Sequence, residues 1–236
     1  MNLILLRPDD AWSDPERVRL MDHRADHIRL HLKAEAGQSI RVGLWGGCQG
    51  LAEIVNLDAS GVSLLVRLDQ PPPPRHRFDI VLALPRPKML RRIFRTAAEF
   101  GVAHLHLINT ARVEKSYWQS PLLKPAKVVE ALQAGMERSR DTVAPQVHEH
   151  RRFRPFVEDQ LKEICVGRPC WITDQGALLA LEAVPAGNAV VMVGPEGGFV
   201  PFEIELACDT IAKQVHLGGR TLSVDTALTT ALALGL

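Results

Sequence analysis

Two glycine-containing stretches, Gly194-Pro195-Glu196-Gly197-Gly198 and Gly218-Gly219-Arg220, are where this sequence can do chemistry. Glycine permits positive φ and lets main-chain N–H groups approach a ligand closely. A short apolar run, Val190–Val193, has no polar alternation and predicts a strand buried on both faces, ending in the first loop. A second strand is expected over Gln214–Leu217, ending in the other loop. Helices are expected to follow, from Pro201 to Asp209 and over Leu222–Leu234. Two strand ends so close in sequence, each with a loop of this kind, are the usual place for a ligand in an α/β sheet. Neither loop reads G-x-G-x-x-G or G-x-x-x-x-G-K-[ST], which argues against a dinucleotide or ATP site.

Charge supplies the second signal. Residues 1–74 hold 8 Lys/Arg against 10 Asp/Glu, residues 75–127 hold 11 against 3, and residues 128–236 hold 9 against 14, although the whole chain carries only +1. The middle stretch is the footprint expected of a polyanion site, with a solvated helix face as the alternative. Within it, Arg86, Lys88, Arg112 and Lys115 fall at the two strand ends of one strand–helix–strand unit, on the rim that also carries the glycine loops. Arg91, Arg92 and Arg95 lie on the polar face of the intervening helix. Tyr117 and Trp118 sit among these cations, either to stack on an unpaired base or to anchor a surface loop. Arg138 and Arg140 end a further helix, as dipole partners or RNA contacts.

Histidine is less informative. His23, His27 and His31 are spaced to share a helix face, yet nothing nearby completes a ligand set, so no metal is expected. His104/His106 and His148/His150 alternate along expected strands as sheet-face residues. Cys48, Cys165, Cys170 and Cys208 lack paired C-x-x-C spacing, which fits free thiols in a reducing cytoplasm. No run of apolar residues is long enough for a membrane span, and the N-terminus does not read as a signal peptide.

These groups have to be positioned by 236 residues, of which 46% are hydrophobic, enough for one large or two small domains. Residues 1–72 predict a small β-barrel, with strands over Leu3–Leu6, Ile40–Leu44, Leu51–Leu57 and Val62–Leu68, a hairpin turn at Gly46-Gly47 and weakly helical character over Pro15–Ala36. Pro71–Pro74 marks the boundary. From residue 75 to 236 the pattern is α/β: strand Phe78–Leu84, helix Met89–Phe100, strand Val102–Ile108, a helix from Pro125 to about Arg140, Phe153-Arg154-Pro155-Phe156 leading into a helix that ends near Cys165, and strand Trp171–Thr173. A strand–helix–strand unit of this length implies a largely parallel sheet.

The GPEGG loop followed by a helix and then the run LGGRTLSVDTA resembles the C-terminal signature of the RsmE family, SPOUT-class enzymes that methylate a uridine ring nitrogen of small-subunit ribosomal RNA with S-adenosylmethionine. The segment LPRPKMLRRIFRTAAEFGVAHLHLINTARVEKSYWQSPLL is similar to the same family, as is GMERSRDTVAPQV. The resemblance implies a PUA-like RNA-binding barrel followed by a parallel sheet with a C-terminal trefoil knot, one of the rare exceptions to unknotted chains. It also implies a cytoplasmic homodimer joined through the knotted domain, acting on ribosomal RNA or the small subunit, with no membrane partner. Cofactor contact would come from Met192, Gly194, Pro195, Glu196, Gly197, Gly198, Leu217, Gly218, Gly219, Leu222 and Thr226. Arg86, Lys88 and Arg220 are the cations for the developing uracil anion, and Glu196 either takes a proton or binds its own loop's N–H groups. Arg7, Arg29, Arg91, Arg92, Arg112, Lys115 and Arg138 are the RNA-binding candidates, with Arg7 also within the range of catalytic options. The family tail usually reads L-R-x-E-T-A, whereas this chain has Ser223 and Asp225 at the Arg and Glu positions. Serine cannot imitate a guanidinium fork. That departure leaves open a weakened RNA-binding or assembly factor, and a third possibility is a SPOUT enzyme acting on another RNA.

Overall fold

A computed structural model describes residues 2–236. They divide into two units, one made of the chain up to Pro74 together with Gln133–Ala144, the other of Arg75–Leu132 and Pro145–Leu236.

The first unit is built on a six-stranded mixed sheet: β1 (Ile4–Leu6), β2 (Ala11–Asp14), β3 (Arg17–Leu20), β4 (Ser39–Leu44), β5 (Gln49–Asp58) and β6 (Gly61–Gln70), in the order β1-β4-β5-β6-β3-β2. β1 and β4 pair in parallel and the other pairs are antiparallel. Ile4, Leu6, Val18, Leu20, Val42, Ile54, Val62 and Leu64 form its core, with Ile28 of a short helical segment, α1 (His23–Asp26) and a wider turn over His27–His31. The weakly helical expectation over Pro15–Ala36 is therefore corrected at its start. Arg17-Val18-Arg19-Leu20 alternates with the two-residue period of a strand, Val18 and Leu20 pointing inward. Arg24 is buried beneath this sheet, donating to the Leu5 carbonyl (2.7 Å) and pairing with Asp10 (2.6 Å) and Asp22 (2.8 Å).

Gln133–Ala144, which the sequence pattern continues into the second domain, belongs to the first unit. The backbone N–H of Gly46 donates to the Thr142 carbonyl (2.8 Å), and the Thr142 hydroxyl donates to the Gly47 carbonyl. Gly43 lets this segment approach, because a Cβ there would lie 2.4 Å from Thr142 Cγ2. The helix α3 (Pro125–Ser139) thus starts in one unit and finishes in the other.

The second unit carries six strands, all parallel: β7 (Phe78–Ala83), β8 (His104–Ile108), β9 (Gln146–His150), β10 (Cys170–Thr173), β11 (Ala189–Val193) and β12 (Ala212–Val215), in the order β12-β10-β11-β7-β8-β9. The central pair, β7 and β11, is buried at every position; β11 is wholly apolar, and in β7 the buried Asp79 is paired with Arg168. α2 (Pro87–Glu99) buries Leu90, Ile93, Phe94, Ala97 and Ala98 and packs with α7 (Val224–Ala233). On the opposite face, α4 (Phe153–Pro155), a wide turn over Phe156–Gln160, α5 (Leu161–Ile164) and α6 (Pro201–Thr210) cover Val81, Ile108, Val190 and Met192. β12 starts two residues before the sequence pattern indicates, and α7 starts two residues after. No helix among the described residues is long and apolar enough to cross a membrane.

One half-buried imidazole ties the two ends of this unit together. His76 Nδ1 accepts from the Phe78 N–H (2.9 Å), which leaves the proton on Nε2 to be donated to the Leu232 carbonyl at the end of α7 (2.9 Å). Burial lowers its pKa from the ordinary 6.5, against the hydrogen bond to Leu232. The unfolded chain therefore takes up a proton below about pH 6.5 that the folded unit refuses, so stability falls as pH drops below that value. Urea denaturation across this range is expected to show a shallower pH dependence in His76→Gln than in the wild type; equal slopes would assign the effect elsewhere.

Candidate active site

Because every strand of the second unit runs the same way, every strand-to-helix loop opens on one rim. Chain direction along the sheet reverses at β7: β8 and β9 extend it on one side, while β10, β11 and β12 lie on the other. The crevice beside such a reversal, at the C-terminal ends of the strands, is where open α/β sheets bind ligands. A cavity of about 470 Å³ lies at this rim, walled by the loops after β10, β11 and β12.

The β11 loop forms its floor. The Gly198 N–H donates to the Pro195 carbonyl (2.8 Å), closing a tight turn, and Gly198 holds φ at +73°, which a side chain would strain. A Cβ on Gly194 would lie 3.2 Å from the Phe199 ring, so the loop folds back on its own following residue. The β12 loop is shaped by Gly218 at φ +108°, whose N–H donates to His216 Nδ1 (3.1 Å). Of the residues expected around a cofactor, Gly194, Pro195, Glu196, Gly197, Gly198, Leu217, Gly218 and Leu222 line the cavity. Met192, Gly219 and Thr226 do not. The Met192 side chain points into the apolar core, Gly219 is exposed beside the loop, and the Thr226 hydroxyl shares a hydrogen bond with Ser223 (2.9 Å).

The expected cations separate. Arg220 lines the cavity, and Arg86 Nε stands 3.6 Å from Glu196 Oε1, joining the loop after β7 to the loop after β11 across the reversal. Lys88 is exposed at the start of α2 and is not part of the wall. Arg112 turns back onto the glycine loop, donating to the carbonyls of Gly197 and Gly198 (3.3 Å to the latter), so it braces the loop instead of projecting from it. Arg91 pairs with Glu130 (3.5 Å), and Lys115 is exposed in the loop after β8. Arg7, Arg29 and Arg138 belong to the first unit: Arg7 donates to Gln133 Oε1 (2.6 Å), Arg29 pairs with Asp26 (2.5 Å), and the Arg138 carbonyl accepts from Asn2. Trp118 is buried, with its Nε1 donating to Asn109 Oδ1 (2.8 Å), so of the two aromatics it is the loop anchor. Tyr117 remains half-buried, its hydroxyl on Glu114 (3.1 Å).

The two departures in the tail are connected. Ser223 Oγ donates to Asp225 Oδ1 (2.6 Å), and Arg92 of α2 reaches Asp225 Oδ2 (3.1 Å). These contacts, the Ser223 hydrogen bond foremost, hold the Asp225 carboxyl below its ordinary pKa despite burial. A guanidinium therefore meets this carboxylate from another helix.

Two contributors are not apparent from the sequence pattern. Thr173, Asp174 and Gln175 supply one wall from the end of β10, where a turn signal directly after a short strand was the available cue. Glu203 is buried; one carboxylate oxygen accepts from the Ala111 N–H (2.7 Å) and the other from the Val200 N–H (2.9 Å). It fastens the loop after β8 to the first turn of α6. Glu203→Ala leaves both N–H groups without that partner and is expected to destabilise the unit by about 2–3 kcal/mol in chemical denaturation. A change within about 0.5 kcal/mol, the ordinary range for surface positions, would remove Glu203 from this role.

A model for the RNA methyltransferase domain matches residues 71–235. The chain is 26% identical to ribosomal RNA small subunit methyltransferase E of Treponema pallidum, over 99% of this chain and 90% of the relative. It is 28% identical to the protein of the same name from Synechocystis sp., over 92% of this chain and 71% of the relative. The crystal structure of the Neisseria gonorrhoeae ribosomal RNA small subunit methyltransferase E bound to S-adenosylmethionine superposes with a TM-score of 0.76 at 20% identity, covering 99% of this chain and 95% of that one. With its second unit falling within the matched region and a glycine-walled crevice at the reversal of its sheet, the chain belongs to the RNA methyltransferase domain family.

Proposed function

We propose that this protein is an S-adenosylmethionine-dependent ribosomal RNA methyltransferase that converts a uridine of the small subunit to 3-methyluridine. The observation that carries the reading is the main-chain cavity at the sheet reversal, with the Arg86–Glu196 pair beside it. Its volume suits a nucleoside-sized cofactor. Its walls offer N–H and C=O groups at glycines, which can read an adenine edge, and apolar surface from Leu217 and Leu222. Bound there, S-adenosylmethionine supplies an electrophilic methyl group on its sulfonium.

The protein's own work is alignment and proton management. Holding a nucleophile in line for displacement is worth roughly 7–11 kcal/mol. The uracil imide nitrogen is protonated at neutral pH and has to lose that proton to attack. Arg220, in the cavity wall, and Arg86, beside Glu196, offer positive charge to the oxygen on which the negative charge develops. Glu196, 3.6 Å from Arg86, is the carboxylate placed to receive the proton. Lys88 and Lys115, exposed near the same rim, serve the phosphates. Arg112 and Arg92 serve instead to brace the loop and the Asp225 carboxylate, which revises their roles from RNA contact to support. The Arg92–Asp225–Ser223 arrangement favours an active enzyme over a scaffold with a degenerate tail.

The same reading includes a PUA-like RNA-binding role for the first unit, a trefoil knot at the C-terminus, homodimerisation through the second unit and a cytoplasmic location. Support for the knot is that β12 lies outside β10 while α7 returns to pack on β11 and α2. Support for the first unit is its six-stranded mixed sheet, with Arg7 and Arg29 as the candidate contacts.

Calorimetry with S-adenosylmethionine is expected to show binding in the wild type and about tenfold weaker binding in Gly198→Ala, since a residue with a Cβ resists positive φ. No heat in the wild type would end the cofactor assignment. Arg86→Ala with Lys88→Ala is expected to weaken RNA binding and to flatten its logarithmic salt dependence by about 0.7 for each phosphate that is no longer neutralised; an unchanged slope would place the RNA on another face. Mass mapping of small-subunit RNA from a strain lacking the protein is expected to show one 3-methyluridine missing, and a full complement would refute the substrate.

A further inference from the structure

Away from the cavity, four histidines converge on two neighbouring parallel strands. Side chains alternate along a strand, so His104 and His106 of β8 lie on the same face of the sheet, as do His148 and His150 of β9. The register sets His106 opposite His148 and Ile108 opposite His150. The result is an imidazole ladder: His104 Nδ1 lies 3.2 Å from His148 Nε2, and His106 Nδ1 lies 3.1 Å from His150 Nε2. The His106 and His148 rings are 4.5 Å apart. His106 is buried and the other three are half-buried, with the Phe156 ring 4.4 Å from that of His150.

The geometry points to a transition-metal site, and we infer that His104, His106 and His148 bind a zinc ion, with water available for the fourth position. One nitrogen from each of the three lies within 4.8 Å of the others. Two nitrogens bound at about 2.0–2.1 Å to a tetrahedral zinc are separated by roughly 3.3 Å. The His104–His148 spacing already has that length. An all-imidazole set selects zinc, copper or nickel over calcium or magnesium, which prefer oxygen.

The surroundings suit neutral ligands. Burial, followed by the neighbouring imidazoles, lowers the pKa of His106 to about 3, and burial lowers those of His148 and His150. Asp79 of β7 is buried beside the ladder and accepts from the His104 backbone N–H (3.1 Å), fixing that strand. Its other oxygen pairs with Arg168, which offsets the carboxylate and leaves the imidazoles as the available donors. Bound zinc would clamp β9, the edge strand of the sheet, onto β8.

The test is a titration of chelator-treated protein with Zn²⁺ against a chromogenic competitor. One equivalent is expected to bind, and His148→Gln and His104→Gln are each expected to lower the affinity about 100-fold or more. His27→Gln, in the other histidine group, and Cys48→Ser, at the exposed thiol, are expected to keep it. Co²⁺ in the wild type is expected to give the visible bands of a four-coordinate ion without a thiolate charge-transfer band. The binding heat for S-adenosylmethionine reports whether each variant is folded. Absence of zinc binding by the wild type, equal affinity in the folded His148→Gln and His104→Gln variants, weakened binding in His27→Gln or Cys48→Ser, or a thiolate band with cobalt would each overturn the assignment.

Discussion

The pairing of β11 with β7 is the constraint on which the rest of the second unit depends. Both strands are buried at every position, so they can occupy only the centre of a covered sheet, and they pair in parallel. Parallel pairing forces every crossover to leave and return by the same rims. The loops that end β7 and β11 therefore emerge side by side. Arg86 and Glu196, 110 positions apart in the sequence, meet at 3.6 Å for this reason. Neither side chain is buried, and the pair contributes little to stability; its position is a consequence of the sheet and not a cause of it.

Around that crevice the polar groups divide into those that face it and those that hold its walls. Glu203 and Arg112 both act on main chain. The carboxylate binds N–H groups of the β8 loop and of the α6 entrance, while the guanidinium binds carbonyls of the glycine turn. A loop rich in glycine has much conformational entropy to lose, and fixed external partners reduce the number of states it samples before a ligand arrives. Arg92 does the equivalent for the α7 entrance through Asp225. A basic residue in the sequence is thus not automatically a phosphate contact, and in this chain three of the cations expected to face RNA carry structural partners in the second unit: Arg91, Arg92 and Arg112.

The tail shows how a carboxylate can draw its partners from outside its own motif. Where relatives of this signature have Arg and Glu two residues apart, this chain has Ser223 and Asp225. Asp225 is shorter by one methylene, yet the Ser223 hydroxyl and the Arg92 guanidinium both reach it. A local comparison of the tail registers a missing guanidinium. Packing of α2 against α7 brings one from a distant part of the chain.

What the sequence determined by itself is what short-range chemistry dictates. Apolar runs specified the buried strands, proline at Pro125 and Pro201 opened helices, and glycine clusters specified loops able to adopt positive φ. The two glycine loops were legible for the same reason, and residues of both line the cavity. Tertiary structure decided what depends on pairing between distant segments. Strand order brought Thr173–Gln175 into the cavity wall, and the β4–β5 hairpin captured Gln133–Ala144 through Thr142. Register set His106 opposite His148, and helix packing turned Arg92 toward Asp225. None of these leaves a periodic trace in the sequence, because the free energy that fixes them comes from contacts between residues whose separation along the chain carries no pattern.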